Sequence, residues 1–246
     1  MRRLFIDFPI ADKREFIISG DDAKHLLYAM RVRPNQVFVI VDRDGTVFEA
    51  KVIACTKDEV TMQFVTFVEN ADTEPPIDVV LAQSLPKSDK MDYIVQKAVE
   101  LGASEIVPVL AKHCVVKYDD KKRKARQQKW QKIADEAAKQ CGRTNLPQVE
   151  DFVNLQALVE KYADYTCIVC YEAEAKQSLK EVLRAEDMHS KKFLVLIGPE
   201  GGFSPEEIAF CKEHNFISIS LGKRILRTET ASLSAISIIM YEKGDL

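Results

Sequence analysis

The chain has 246 residues, 46% of them hydrophobic and 30% charged, and a net charge of −3. That length accommodates one or two hydrophobic cores, and the mild acidity means that any bound nucleic acid must be met by local positive charge. Six cysteines do not make a disulfide framework at this length, and no uncharged apolar run is long enough to cross a bilayer, so a cytoplasmic protein with reduced thiols is expected.

In chain order, the apolar start Leu4-Phe5-Ile6 is interrupted by Asp7 and Pro9 before it reaches the length of an export signal. Residues 16–18, 37–41, 46–54 and 60–68 are rich in β-branched and aromatic side chains, with turn residues at 42–45 and 56–59, and read as strands. Only 21–33 has helical spacing, with Leu26, Leu27 and Met30 on one side. A small antiparallel barrel or sandwich is expected. Residues 1–70 hold ten Lys/Arg against eleven Asp/Glu, so neither charge nor architecture assigns a ligand to it. Arg2, Arg3, Arg14, Arg31 and Arg33 are candidate phosphate contacts if they gather on one face.

The polar run 69–76, closed by Pro75 and Pro76, reads as a linker between domains at 1–72 and 73–246. Beyond it, an apolar strand at 77–82, a helical stripe at 91–101 stopped by Gly102, and a strand at 106–109 make a βαβ unit. Helices at 155–162 and 179–183, strands near 165–171, 194–197 and 216–221, and helices from Pro205 and after Thr228 continue the pattern. The second domain is therefore expected to be α/β with a mostly parallel sheet. Residues 121–132 carry seven cations and no acid, opening a long helix that ends at Cys141-Gly142. Lys121, Lys122 and Arg123 belong either to a polyanion footprint or to an ordinary solvated helix face. Arg143 follows the glycine stop, a position from which a side chain projects into a neighbouring site. Cys167 and Cys170 have CxxC spacing, but an offset of three along a strand puts their sulfurs on opposite faces, and two small apolar residues are the better reading.

Two loops are either a ligand site or plain strand-to-helix turns. Leu194-Val195-Leu196-Ile197 is a buried strand followed by Gly198-Pro199-Glu200-Gly201-Gly202, and Ser204-Pro205 with Glu207 is a capping box that starts a helix. Leu221-Gly222 leads through Arg224-Ile225-Leu226-Arg227 to Thr228, a candidate helix cap. Both loops leave the carboxyl ends of parallel strands and therefore meet at one sheet edge. Neither fits GxGxxG or a P-loop. Aliphatic side chains beside exposed backbone amides suit an adenine-like ring.

These residues, together with Lys90-Met91, Gln96-Lys97, Glu100-Leu101-Gly102 and the stretch from Gln128 to Arg143, resemble the RsmE family of 16S ribosomal RNA uridine-N3 methyltransferases within the SPOUT superfamily. The resemblance implies a PUA-like RNA-binding β-barrel and an α/β domain with a trefoil knot. It also implies S-adenosylmethionine as cofactor, 16S rRNA in the small ribosomal subunit as substrate, and a homodimer without metal or membrane. Carried over by position, it assigns the cofactor to Tyr171, Ile197, Gly198, Pro199, Glu200, Gly201, Leu221, Gly222, Ile225, Leu226, Thr228 and Ala231. It brings Arg143 to the partner subunit's pocket. Where relatives often have a Ser-Glu-Arg type sequence, this chain has Ala111-Lys112-His113. The uracil N3 must lose a proton, which makes Glu229 the candidate base and Arg227 and Arg143 the candidate holders of the uracil anion. The alternatives are a non-catalytic RNA-binding protein and a SPOUT enzyme acting at another RNA position.

Overall fold

The computed structural model describes residues 3–10, 14–69, 72–171 and 177–246. The chain divides into two compact units, Met1–Glu74 with Ala138–Asn145 and Pro75–Ala137 with Leu146–Leu246.

In the first unit, β1 (Leu4–Phe5), β2 (Glu15–Ile18), β3 (Val37–Val41), β4 (Val47–Cys55) and β5 (Val60–Phe67) form one sheet in the order β1-β3-β4-β5-β2. Alternation along β2 and β4 sends Phe16, Ile18, Phe48, Ala50 and Val52 inward, where they join Ile6, Ile40 and Met62 in one apolar core. The sheet is not wholly antiparallel as expected, because β1 pairs with β3 in parallel. A two-residue strand carries too little pattern to be read in advance. Asp42 shapes the β3–β4 turn, its Oδ1 accepting from Asp44 N and Thr46 N at 2.9 Å.

The helix expected over 21–33 is shorter. α1 (Gly20–Lys24) widens into a π turn, His25–Ala29, which closes through Met30 N to His25 O at 3.0 Å. Arg31 then takes a left-handed φ of 52° and Pro34 follows, so the apolar spacing outlasts the helix.

The second unit is α/β. β6 (Asp78–Ser84), β7 (Glu105–Val109), β8 (Gln148–Val149), β9 (Thr166–Cys170), β10 (Lys192–Ile197) and β11 (Ile217–Ile219) form a sheet in the order β11-β9-β10-β6-β7-β8. Every pairing is parallel. The central strands β6 and β10 are buried almost throughout, as their unbroken apolar runs require. The connecting helices are α2 (Lys90–Glu100), α3 (Asp120–Cys141), α4 (Leu155–Lys161), α5 (Leu179–Leu183), α6 (Pro205–Glu213) and α7 (Thr228–Lys243). α7 packs on α2, α5, β6 and β10. Gly102, at φ 94°, admits it closely: a Cβ there would lie 2.9 Å from the Met240 methyl and 2.8 Å from Pro75. Trp130 of α3 is buried and donates to Asp92 of α2 at 3.0 Å. Cys167 is buried with its thiol pushed up to about 11 by desolvation and by Asp164, an apolar filler and not a nucleophile. Among the described residues no helix is long and apolar enough to cross a membrane.

The end of α3 belongs to the first unit, and there the structure corrects the reading of Arg143. Its side chain is buried, not projecting, and its Nε donates to Glu74 Oε2 at 3.0 Å. Glu74 also accepts from Thr144 N at 2.8 Å and Asn145 N at 3.0 Å, so one carboxylate organises the whole turn. Burial works against its ionisation, but the Arg143 guanidinium and the two backbone donors outweigh it and hold Glu74 below the usual carboxylate range. Glu74→Gln replaces the charged acceptor of a buried guanidinium by a neutral one and should cost about 1.5–3 kcal/mol in urea unfolding of the full chain at pH 7. A depressed folded-state pKa means that this stabilisation is complete above the ordinary carboxylate range and is lost as pH falls through the lower folded value. The difference between wild type and variant should therefore close in acid.

A candidate ligand cleft at the strand tips

Three strands deliver the site. β9, β10 and β11 are adjacent and parallel, so their carboxyl ends open on one edge. Tyr171 N donates to Ile219 O at 3.1 Å and Ser220 N to Gln177 O at 3.1 Å, tying the segments after β9 and β11 together. After β10 the chain makes a tight turn, with Gly202 N donating to Pro199 O at 2.9 Å and Gly202 at φ 66°, a conformation that favours glycine. Ser204 then caps α6 as the sequence predicts: its Oγ accepts from Glu207 N at 3.3 Å and its own N donates to Glu207 Oε2 at 2.8 Å.

The result is a cleft of about 400 Å³. Tyr171, Ile197, Gly198, Pro199 and Glu200 line one part of it, and Leu221, Ile225, Leu226, Arg227, Thr228 and Ala231 the rest. All eleven come from the sequence-predicted set. Gly201 and Gly222 are not in its lining; Gly201 is occupied against His113, and Gly222 turns the chain at φ 117°. Cys170, Ile219, Gly202 and Phe203 line the cleft without having been predicted. The first two carry no signal beyond being the last residues of strands, and Phe203 folds back so tightly that a Cβ on Gly198 would lie 3.1 Å from its ring.

Thr228 corrects a further expectation. Arg227, not Thr228, is the N-cap of α7 and makes no side-chain cap. The Thr228 hydroxyl instead donates to Gly198 O at 2.8 Å, fastening the two loops to each other.

The charged rim is a lysine between two carboxylates. Lys90 Nζ lies 3.0 Å from Glu200 Oε1 and 3.2 Å from Glu229 Oε2. Glu200 also accepts from Lys87 N at 3.1 Å. The Glu200 carboxylate, then Glu229, raises the Lys90 ammonium above the ordinary lysine range against the opposing effect of burial. Burial likewise opposes ionisation of Glu200, but Lys90 and the surrounding backbone donors win and lower it. Ala111-Lys112-His113, whose departure from the family pattern left its role open, grips the same loop. Lys112 N donates to Glu207 Oε1 at 2.7 Å, and His113 Nδ1 donates to Gly201 O at 3.1 Å.

Of the proposed RNA contacts, Arg14, Arg31 and Arg33 are exposed and Arg3 is half-buried; Arg2 lies outside the described residues, as do the residues directly after Tyr171. On α3, Lys121 and Lys122 are exposed, while Arg123 is half-buried and 3.4 Å from Asp120. Asp119 Oδ1 accepts from Lys122 N at 2.8 Å, which relieves the cost of cations at a helix start. Arg126 stacks over Tyr118 at 5.6 Å and lies 3.6 Å from Asp89, so part of the cationic run is already spent within the unit.

A parallel α/β domain with an aliphatic, backbone-rich cleft at its strand tips is a small-ligand domain of the kind that takes a nucleoside. Comparison with known proteins names the family. A model described as an RNA methyltransferase domain matches residues 73–240, and one described as an RNA methyltransferase PUA domain matches 18–65. The ribosomal RNA small subunit methyltransferase E of Bacillus subtilis strain 168 is 36% identical over 98% of this chain and 97% of its own length; that of Aquifex aeolicus is 31% identical over 91% and 93%. The crystal structure of the Neisseria gonorrhoeae ribosomal RNA small subunit methyltransferase E, bound to S-adenosyl methionine, superposes with a TM-score of 0.89 at 29% identity, covering 100% of this chain and 99% of that one. A putative methyltransferase from Legionella pneumophila in complex with the same cofactor gives 0.88 at 29% identity, covering 99% and 98%. The chain belongs to the RsmE family of RNA methyltransferases.

Lys90→Gln removes the only cation between Glu200 and Glu229 among the described residues. The Glu200 titration should then move upward, as read by carboxylate carbon NMR, because the charge that lowers it is gone while its burial remains.

Proposed function

We propose that this chain is an S-adenosylmethionine-dependent methyltransferase that modifies N3 of a uridine in the 16S RNA of the small ribosomal subunit. It works in the cytoplasm as a homodimer, with residues 1–72 as a PUA-like RNA-binding barrel and 73–246 as a SPOUT domain with a trefoil-knotted path. The observation that carries this is the cleft: in a family of RNA methyltransferases, it assembles the aliphatic and backbone groups that a methyl-donating adenosine requires.

The residues fit that cofactor. A volume of about 400 Å³ lies in the range of small-molecule sites. Ile197, Leu221, Leu226 and Ala231 offer apolar faces to a purine, and the Gly198 loop brings backbone close to it. When bound, S-adenosylmethionine supplies a methyl group made electrophilic by its sulfonium.

The chain's own residues prepare the acceptor. A uracil N3 carries its proton at neutral pH and must lose it to become a nucleophile. Glu229, in the first turn of α7 next to the cleft-lining Thr228, is the base that takes it. Its pairing with Lys90, 3.2 Å away, fixes where its carboxyl group points. Arg227, exposed on the cleft wall, donates to the uracil carbonyl that gathers negative charge. Arg143 is left out of this step, since its guanidinium is buried against Glu74. The exposed lysines at the start of α3, with Arg14, Arg31 and Arg33, supply sequence-independent phosphate contacts.

Incubating undermethylated small subunits with the protein and the methyl donor, then mapping the product by mass spectrometry, should place one methyl on a uracil N3. A methyl on a ribose oxygen, or none, would overturn the assignment. Glu229→Gln should lower the transfer rate by roughly 10²–10⁴-fold while cofactor binding persists, in keeping with the loss of a general base. Unaltered transfer at every pH would remove Glu229 from the chemistry.

A further inference from the structure

β6 is apolar and buried from Val79 through Ala82, and Leu85 follows in the same state, yet Gln83 stands among them fully buried. An amide in such a place is costly unless every polar atom is paired. All are. Gln83 Nε2 donates to Ser84 O at 2.8 Å and to Thr228 Oγ1 at 2.9 Å, and Gln83 Oε1 accepts from the hydroxyl of Ser232, which is itself fully buried. Ser84 O only accepts, so it fixes which end of the amide is which. With one Thr228 lone pair occupied by Gln83, the Thr228 hydrogen is directed to Gly198 O, 2.8 Å away. In the sheet, Gln83 is registered opposite Ile197, the residue immediately before that glycine.

We infer that Gln83 is a positioning residue. It lies outside the cleft lining, but through Thr228 it locks the loop after β11 onto the loop after β10, and its second contact, to Ser232, holds the next turn of α7 in the same register. An apolar side chain in its place would leave the Thr228 hydrogen free to turn away from Gly198 O and would take the Oε1 acceptor from the Ser232 hydroxyl, so the glutamine sets the direction of the Thr228 hydrogen bond. The consequence for methyl-donor affinity rests on the function proposed above; the consequence for the loops does not.

Two measurements on the full chain separate them. In ligand-free protein, Gln83→Met should speed amide hydrogen exchange in peptides covering 198–203 and 221–228, with β7 unchanged. In calorimetry with S-adenosylmethionine, Gln83→Met and Thr228→Val should each weaken binding about tenfold, as expected for a hydrogen bond of typical net strength. The double variant should bind no worse than the weaker single one, because both remove the same link. Thr228→Ser, which keeps the hydroxyl, should recover most of the affinity lost in Thr228→Val. Unchanged exchange in both loops, additive losses, or no recovery with serine would overturn the inference. Faster exchange in the variant together with no cofactor uptake by the wild type would uphold the loop lock and overturn the proposed function.

Discussion

One hydroxyl decides the shape of the cleft. Parallel strands leave their carboxyl ends on a common edge, but that alone brings loops near each other without fixing them. Backbone that leaves a sheet loses its ladder partners and must find others. Here the carbonyl of Gly198 finds the side chain of Thr228, some thirty residues on, while Tyr171 N finds the carbonyl of Ile219 at the end of β11 and Ser220 N that of Gln177. The cleft is thus walled by segments that satisfy one another, and its floor is the buried end of the sheet. Gly198 is glycine because Phe203 presses on it, and Gly202 because the turn needs a left-handed residue. Their role is to let the loop close, which leaves its backbone within reach of a ligand.

Charge is arranged around this frame in two separate ways. At the cleft rim, Lys90 lies between Glu200 and Glu229, with close to equal distances to each. Each carboxylate lies on a different loop or helix start, so the ammonium joins them much as Thr228 joins the backbone. On α3 the cations are only partly neutralised: Arg123, Arg126 and Lys129 each have an acidic neighbour, while Lys121, Lys122, Lys124 and Lys132 are exposed. A chain of net charge −3 that keeps four exposed lysines on one helix is spending its positive charge locally.

The sequence is most legible where the physics is short-ranged. Buried parallel strands read as continuous apolar runs, so β6, β9 and β10 are legible in the sequence, and so is the Ser204 capping box, whose partner is three residues away. The failures are long-ranged or too small to carry a pattern. β1 and β8 have two residues each. Thr228 looked like a cap because threonine before a helix commonly is one, but its hydroxyl was claimed by Gly198 and Gln83. Arg143 looked free because it follows a glycine stop, and only the fold brings Glu74 to it. The eleven lining residues follow from the family resemblance carried over by position, not from periodicity or spacing, whereas the lysine joining Glu200 to Glu229 stands in a recognised motif without a visible role.

The segment 111–113 braces the glycine turn through contacts that differ in how closely they constrain the side chain. Lys112 and His113 reach the Gly198–Gly202 turn and α6 through a backbone N–H, a lysine ammonium and an imidazole N–H. The acceptors are two glutamates of the first helical turn and the carbonyl of a glycine. Any donor of suitable reach at position 113 satisfies a carbonyl, so the requirement there is for an N–H and not for an imidazole as such. The Cβ of His113 also limits position 201: a side chain there would start 3.1 Å from it. Identity is therefore loose at the residue that donates and strict at the glycine that accepts.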